Sequence, residues 1–142
     1  MASSARIGKG TLLKIGDAAS PEVFTTIAEM VTIGGSPGGV PDEIDVTNHD
    51  SPGLYEEIIT GIIRTKTITG VANYIGDNTQ QNALLTAMEA GTSKNFKLVF
   101  PTATPKTFSF AGRVNGWDVD PPIRGAMHLN FSIKQSGAAT IS

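Results

Sequence analysis

Three runs in the last third of the chain alternate apolar with polar residues, and this period of two constrains the fold more than any other feature of the sequence. Phe96, Leu98 and Phe100 alternate with Lys97 and Val99. Phe108, Phe110, Gly112 and Val114 alternate with Ser109, Ala111, Arg113 and Asn115, and Trp117 follows in the polar register. Met127, Leu129, Phe131 and Ile133 alternate with His128, Asn130, Ser132 and Lys134. Successive side chains of a strand point to opposite faces, so each run is a strand with one face buried and one wet. Pro101–Pro105 and Asp120–Gly125 are the turns between them. Most of the phenylalanines fall in these runs, so the core is expected there. Gly137–Ser142 reads as a loose tail.

Earlier segments carry the same signature less cleanly. Residues 1–9 are small and polar and read as a flexible arm. Thr11–Ile15 is a short strand closed by Gly16-Asp17 and Ser20-Pro21. Val23–Ile33 is rich in β-branched residues, with Val23, Thr25, Ile27, Val31 and Ile33 on one side and Glu29 interrupting that side as a bulge or strand end. Gly34–Pro41 is punctuated by glycine and proline and reads as a loop. Arg64–Ile75 is a long strand with neither face cleanly apolar: Thr65, Thr67, Thr69, Val71 and Asn73 oppose Lys66, Ile68, Ala72 and Tyr74. Such a strand is expected to meet something other than a dry core on both sides.

One helix is predicted, Thr79–Ala90. Asp77 or Asn78 stands where a cap belongs, Gln80 or Gln81 in the capping-box place, and Gly91 where the chain turns out. Leu84, Leu85, Ala87 and Met88 form an apolar stripe that needs a sheet to lie on. Seven or eight strands with one flanking helix, in a single domain over residues 1–142, make a β-sandwich or small barrel.

Between these elements lies the most distinctive stretch. Ile44 and Val46 alternate with Asp45 and Thr47, then His49-Asp-Ser-Pro-Gly53 ends the strand in a turn. Leu54, Tyr55, Ile58, Ile59, Ile62 and Ile63 follow in what reads as a loop. Loops on the surface are ordinarily polar, so this one is expected to be covered by something.

Nothing in the sequence carries a reaction. With no cysteine there is no thiol nucleophile, thiolate ligand or disulfide. The two histidines, His49 and His128, lack a partner histidine at ligand spacing, and Asp45 and Asp50 beside His49 read as turn chemistry rather than a metal half-site. No serine sits in a nucleophile elbow, Gly34–Gly39 lacks the ending of a phosphate loop, and Glu56 and Glu57 are adjacent and diverge. No catalytic residue, metal ligand or cofactor is expected. No run is long enough to span a membrane, and the first residues lack the apolar core of a signal peptide.

Charge is unevenly spread. Ile15–Ile63 holds nine acids and no lysine or arginine, and the remainder holds eleven bases against four acids, so −9 and +7 combine to the net −2. If these regions form separate surfaces, copies attract head to tail, the arrangement that closes rings or grows filaments; if the strands interleave, the charges mix.

Several stretches together resemble the major tail tube proteins of lambda-like, long-tailed phages. They are Gly10–Gly16, Asp42–Gly53 with Tyr55–Glu57, Gln80-Gln81 with Leu84-Leu85, Phe96–Pro101, Phe108–Gly112 and Leu129–Gly137. The resemblance implies a β-sandwich-like barrel with one helix, packed through Leu84, Leu85 and Met88. It implies a structural, non-enzymatic virion subunit, made in the host cytoplasm, that assembles with itself into hexameric rings stacked as a channel for phage DNA. Tape-measure and tail-tip or terminator proteins are the other implied partners, the DNA passes without specific binding, and no membrane is involved. The implied contacts between subunits or rings are Asp45, His49, Asp50, Leu54, Tyr55, Glu56, Glu57, Ile58, Ile59, Ile62 and Ile63. Two alternatives stay open at this level: a related needle or secretion tube, and a β-sandwich module that binds a ligand through Trp117.

Overall fold

Residues 3–142 are described by a computed structural model; Met1 and Ala2, the start of the expected arm, lie outside it. Nine strands and one helix follow in the order β1 (Leu12–Gly16), β2 (Phe24–Thr26), β3 (Met30–Gly34), β4 (Gly39–Asp45), β5 (Ile58–Thr65), β6 (Thr67–Asn73), α1 (Thr79–Ala90), β7 (Lys94–Phe100), β8 (Lys106–Asp120) and β9 (His128–Ile141). Seven strands form one antiparallel sheet in the order β2-β1-β7-β8-β9-β6-β3, and β4 and β5 form a separate hairpin.

The order of the large sheet makes it a barrel. Its terminal strands, β2 and β3, are consecutive in the chain, so a few residues must connect its two ends. Ile27 N–H donates to the Leu13 carbonyl on one side (2.9 Å), and Glu29 O accepts from Asn73 N–H on the other (3.0 Å). Two residues span about 7 Å at most, so the sheet has to curl until its edges nearly meet. The single segment Val23–Ile33 expected from the sequence is therefore two strands. Glu29, the residue that interrupts its pattern, sits at the reversal with a left-handed φ of 53°, and of its supposed apolar side only Ile27 is fully buried, while Val23 and Val31 are exposed.

The alternating runs fill the barrel. Leu13, Ile15, Ile68, Phe96, Leu98, Phe110, Val114, Leu129, Phe131 and Ile133 are buried together, with Phe96 stacked on Phe110 at 5.6 Å. Two departures from simple alternation matter. Asn115 is an extra residue in β8 against β9, between the pairs Val114–Ile133 and Gly116–Ser132. This bulge flips the parity, so Trp117 and Val119 pack on the core instead of standing in the polar register. In β6 one face departs from the two-sided strand expected: Ile68 and Ala72 are fully buried, and Gly70 between them lies under the Phe131 ring. One face of this strand is dry core after all, because a glycine and an alanine leave room for a large neighbour.

The helix begins and ends where its sequence signals place it. Asn78 Oδ1 accepts from Gln81 N–H (3.0 Å), and Gly91 closes the C-terminus in the left-handed region. Leu84 and Ala87 enter the core and Met88 packs against it; Leu85 is half-buried and outside the core cluster. Gln81 does not complete a capping box. Its fully buried amide accepts from Ile75 N–H (2.9 Å) and donates to the carbonyls of Asn73 (2.9 Å) and Ala28 (3.4 Å), while its own carbonyl accepts from the Trp117 indole (3.2 Å). One side chain thus ties the helix to the seam of the barrel.

The C-terminal segment is also not a tail. β9 continues to Ile141, with Thr140 opposite Ser109 and Ile141 opposite Phe108, and Ser142 exchanges two hydrogen bonds with Thr107. Gly137, at φ 78°, absorbs the register shift that lets the strand go on. Small residues there conceal the strand, because backbone pairing needs no apolar pattern. At the other end, Ser3–Lys9 lies outside every strand and is exposed.

Candidate assembly surface

The apolar stretch read as a loop is mostly strand. Ile58–Thr65 pairs with Gly39–Asp45, so part of the supposed Gly34–Pro41 loop belongs to β4 as well. Ile44 stands opposite Ile59, Asp45 opposite Ile58, Glu43 opposite Thr60 and Pro41 opposite Ile63. Between the last two pairs, Gly61 and Ile62 together face Asp42. That bulge hides the strand in the sequence: Ile58-Ile59 and Ile62-Ile63 come as doublets rather than alternating. Arg64–Ile75 is correspondingly two strands, broken at Lys66, where the chain leaves the hairpin and enters the barrel.

The hairpin leaves the barrel with both faces open. Ile62 is 77% exposed and Ile63 62%, and Val40, Ile44, Ile58 and Ile59 are all about half exposed. An isolated two-stranded hairpin is at best marginally stable in water, and a monomer rarely displays so many aliphatic side chains together. Its outer backbone edges are unpaired as well, ready to hydrogen-bond another strand.

Two devices hold this exposed element in shape. At the tip, Val46 N–H donates to Glu57 O (2.9 Å), and Thr47 Oγ1 accepts from Glu57 N–H (2.7 Å). Asp45 Oδ1 accepts from Thr47 N–H (2.8 Å), Asn48 Oδ1 from Asp50 N–H (2.8 Å), and Ser51 Oγ donates to Glu57 Oε2 (2.8 Å). The Thr47 hydroxyl and backbone N–H favour the charged form of Asp45 and hold its pKa below the usual aspartate value. Asp45, Asp50 and Glu57 are therefore part of the turn, whereas His49, Leu54, Tyr55 and Glu56 are exposed and Leu54 and Tyr55 project into solvent. Among the described residues no three His, Asp or Glu side chains group as a metal site would require.

At the root, Gln135 does what the sequence did not foretell. Buried in β9, it accepts from Gly38 N–H through Oε1 (2.9 Å) and donates to Gly137 O through Nε2 (2.8 Å). Its backbone carbonyl accepts from the Thr65 hydroxyl (2.8 Å), and the Lys134 ammonium reaches the Thr65 carbonyl. Beside this clamp an apolar groove is lined by Ile63, Phe108, Ala139 and Ile141. A glutamine continuing the apolar register of Leu129, Phe131 and Ile133, two residues before Gly137, is the one signal that could have pointed to it. Elsewhere on the hairpin, Arg64 Nε pairs with Asp42 Oδ1 at 3.0 Å.

A β-barrel with one helix and a projecting, apolar hairpin can be set against known proteins. The family model of the lambda phage tail tube protein matches residues 6–142. The chain belongs to the lambda phage tail tube protein family. No curated protein sequence matches it. Among solved structures, the tail of an empty gene transfer agent particle with C6 symmetry shares the fold with a TM-score of 0.77 at 19% identity, over 97% of this chain and 99% of that one. The tail tube of phage SPP1 follows with a TM-score of 0.71 at 13% identity, over 96% and 78%. A sheath/tube terminator of an extracellular contractile injection system matches with a TM-score of 0.73 at 10% identity, over 99% of both chains. As a family member the chain is a structural tail tube protein, and its β-barrel with one helix is the fold that the resemblance implied.

Proposed function

We propose that this tail tube family protein is the repeating subunit of the tube itself, carrying out no reaction, with hexameric rings that stack into a channel for DNA in the virion. The observation that carries this reading is the β4–β5 hairpin. It is held at root and tip, yet among the described residues its two faces and two edges have no partner. Burial of apolar surface at about 25 cal/mol per Å2, together with completion of its backbone ladder, favours its addition to neighbouring copies. Leu54 and Tyr55 at the tip extend the contact beyond the hairpin, and His49, Asp50, Glu56 and Glu57 rim it. The C6 symmetry of the gene transfer agent tail supports six as the ring number. A tape-measure protein inside the tube and tip or terminator proteins at its ends complete the assembly.

Electron microscopy of the purified protein over a concentration series tests the reading. Rings or hollow tubes are expected as concentration rises. Dispersed monomers at every concentration, with tail tips added as nuclei, overturn it. Charging the hairpin by Ile59→Asp is expected to abolish tubes while the monomer keeps its circular dichroism spectrum, because Ile59 contributes nothing to the core.

A further inference from the structure

The sheet register sets like charges against each other on the outside of the barrel. Lys14 in β1 stands directly opposite Lys97 in β7, and Arg113 in β8 directly opposite Lys134 in β9. Their chain neighbours Leu13, Ile15, Phe96, Leu98, Val114 and Ile133 all point into the core, so alternation puts the four cations on the outer face. Side chains directly opposite in an antiparallel pair have Cβ atoms about 5 Å apart, where like charges destabilise. Among the described residues none of the four makes an ion pair. The ion pair found among the described residues is Arg64–Asp42. Lys97 rests over the Phe24 ring at 4.2 Å, and Lys134 reaches a carbonyl. Glu22, near one end of this face, is engaged by Asn95 and by Ala18 N–H. Asp118 and Asp120 stand at the other end, opposite Asn130 and His128. The two cation pairs form a band across β1, β7, β8 and β9. They are offset along β8 by the step from Ser109, which faces Lys97, to Arg113, about 13 Å.

The complementary surface is on the same molecule. The segment Gly39–Thr65 carries six acids and one base, Arg64, which Asp42 already neutralises. The hairpin register divides the remaining acids. Asp42 shares a face with Ile44 and Ile59, whereas Glu43 and Asp45 stand on the opposite face with Ile58, Thr60 and Ile63. That second face is both apolar and negative, and Glu56 adds an exposed acid beyond it.

We propose that the basic band on the outer barrel face receives the Glu43–Asp45 face of the hairpin from another copy of this chain. The inference rests on the tube-subunit reading and names the surface that the hairpin meets. It makes assembly head to tail, since donor and acceptor surfaces differ, the kind of contact that closes a ring or carries on from ring to ring. The like-charge pairs are a cost to the monomer that the neighbouring copy relieves, which biases the chain toward assembly.

The test uses full-length protein and sedimentation to find the concentration at which polymer appears. For the native chain, raising salt from about 0.05 to about 0.5 M is expected to raise that concentration about tenfold, as screened charges require. The double variant Lys14→Glu/Arg113→Glu is expected to remain monomeric under conditions where the native chain polymerises. Its thermal midpoint should not fall, because each change converts a repulsive cross-strand pair into an attractive one. Glu43→Lys/Glu56→Lys is expected to fail likewise, and an equimolar mixture of the two variants to co-assemble. Polymerisation of Lys14→Glu/Arg113→Glu at the native concentration overturns the proposal while leaving the tube reading standing. So does loss of duplex-oligonucleotide binding with assembly unchanged, which assigns the band to DNA. Failure of the native chain to form polymer even with tail tips added as nuclei, seen before any variant is made, overturns the tube reading and this inference with it.

Discussion

Gln81 and Gln135 are the two buried polar residues among the described ones, and each joins parts of the molecule that backbone ladders leave separate. Gln81 binds the helix, the turn after β6 and the β2–β3 reversal; Gln135 binds the hairpin root to β9. Every buried side-chain polar atom among the described residues has a partner. Gln81→Leu keeps the volume but strands Ile75 N–H and the Asn73 carbonyl, at about 1–3 kcal/mol for each unsatisfied group. Denaturant unfolding is expected to show a loss of that order. Gly70→Ala should also destabilise, by about 1–3 kcal/mol, since a Cβ there would approach Phe131 Cζ to 2.4 Å across a packed core. Asp45 acts differently. Its pKa is lower in the folded turn than in the open chain, so its contribution is present above the ordinary aspartate value of about 3.9 and is lost as pH falls through the depressed folded value. NMR titration of its carboxyl carbon in the monomer is expected to give a midpoint below that value, and Thr47→Val to raise it.

At the scale of elements, the hairpin and the C-terminal half of β9 differ most from what their sequences suggest. Both pair through backbone, and in both the apolar pattern is broken: by a bulge at Gly61-Ile62 in one, by Gly137 and two alanines in the other. Their energetics are opposite. The end of β9 belongs to the barrel, covering Phe108 and lining the groove beside the clamp. Truncation after Ser136 is therefore expected to lower the thermal midpoint of the monomer by several degrees, not merely to trim a disordered end. The hairpin belongs to the assembly. Amide hydrogen exchange should find β4 and β5 among the least protected strands of the monomer and strongly protected once polymer forms.

For the whole molecule, the sheet order decides how charge is distributed. The acid-rich stretch Ile15–Ile63 is sent to the seam strands β2 and β3 with their flanking turns and to the hairpin, and the base-rich remainder forms the middle of the sheet. Segregation along the sequence thus survives in space at the hairpin, whereas Asp17 and Glu22 lie beside β7. The sequence alone determined the β class, the single helix with its cap at Asp77 or Asn78 and Gly91 at its end, and most of the core, since strand alternation and helix capping are local and their signals lie within a few residues. It also marked Leu54–Ile63 as a stretch in need of a partner, because six large apolar residues without a core-forming period leave few other uses. Tertiary structure decided the rest. Trp117 turned inward because of one unpaired residue against β9, and β6 became core because Gly70 admits Phe131. Two glutamines became clamps, and four cations from four strands became one surface. Each of these depends on which strands lie side by side and in what register, and register is set by pairing between segments far apart in the chain.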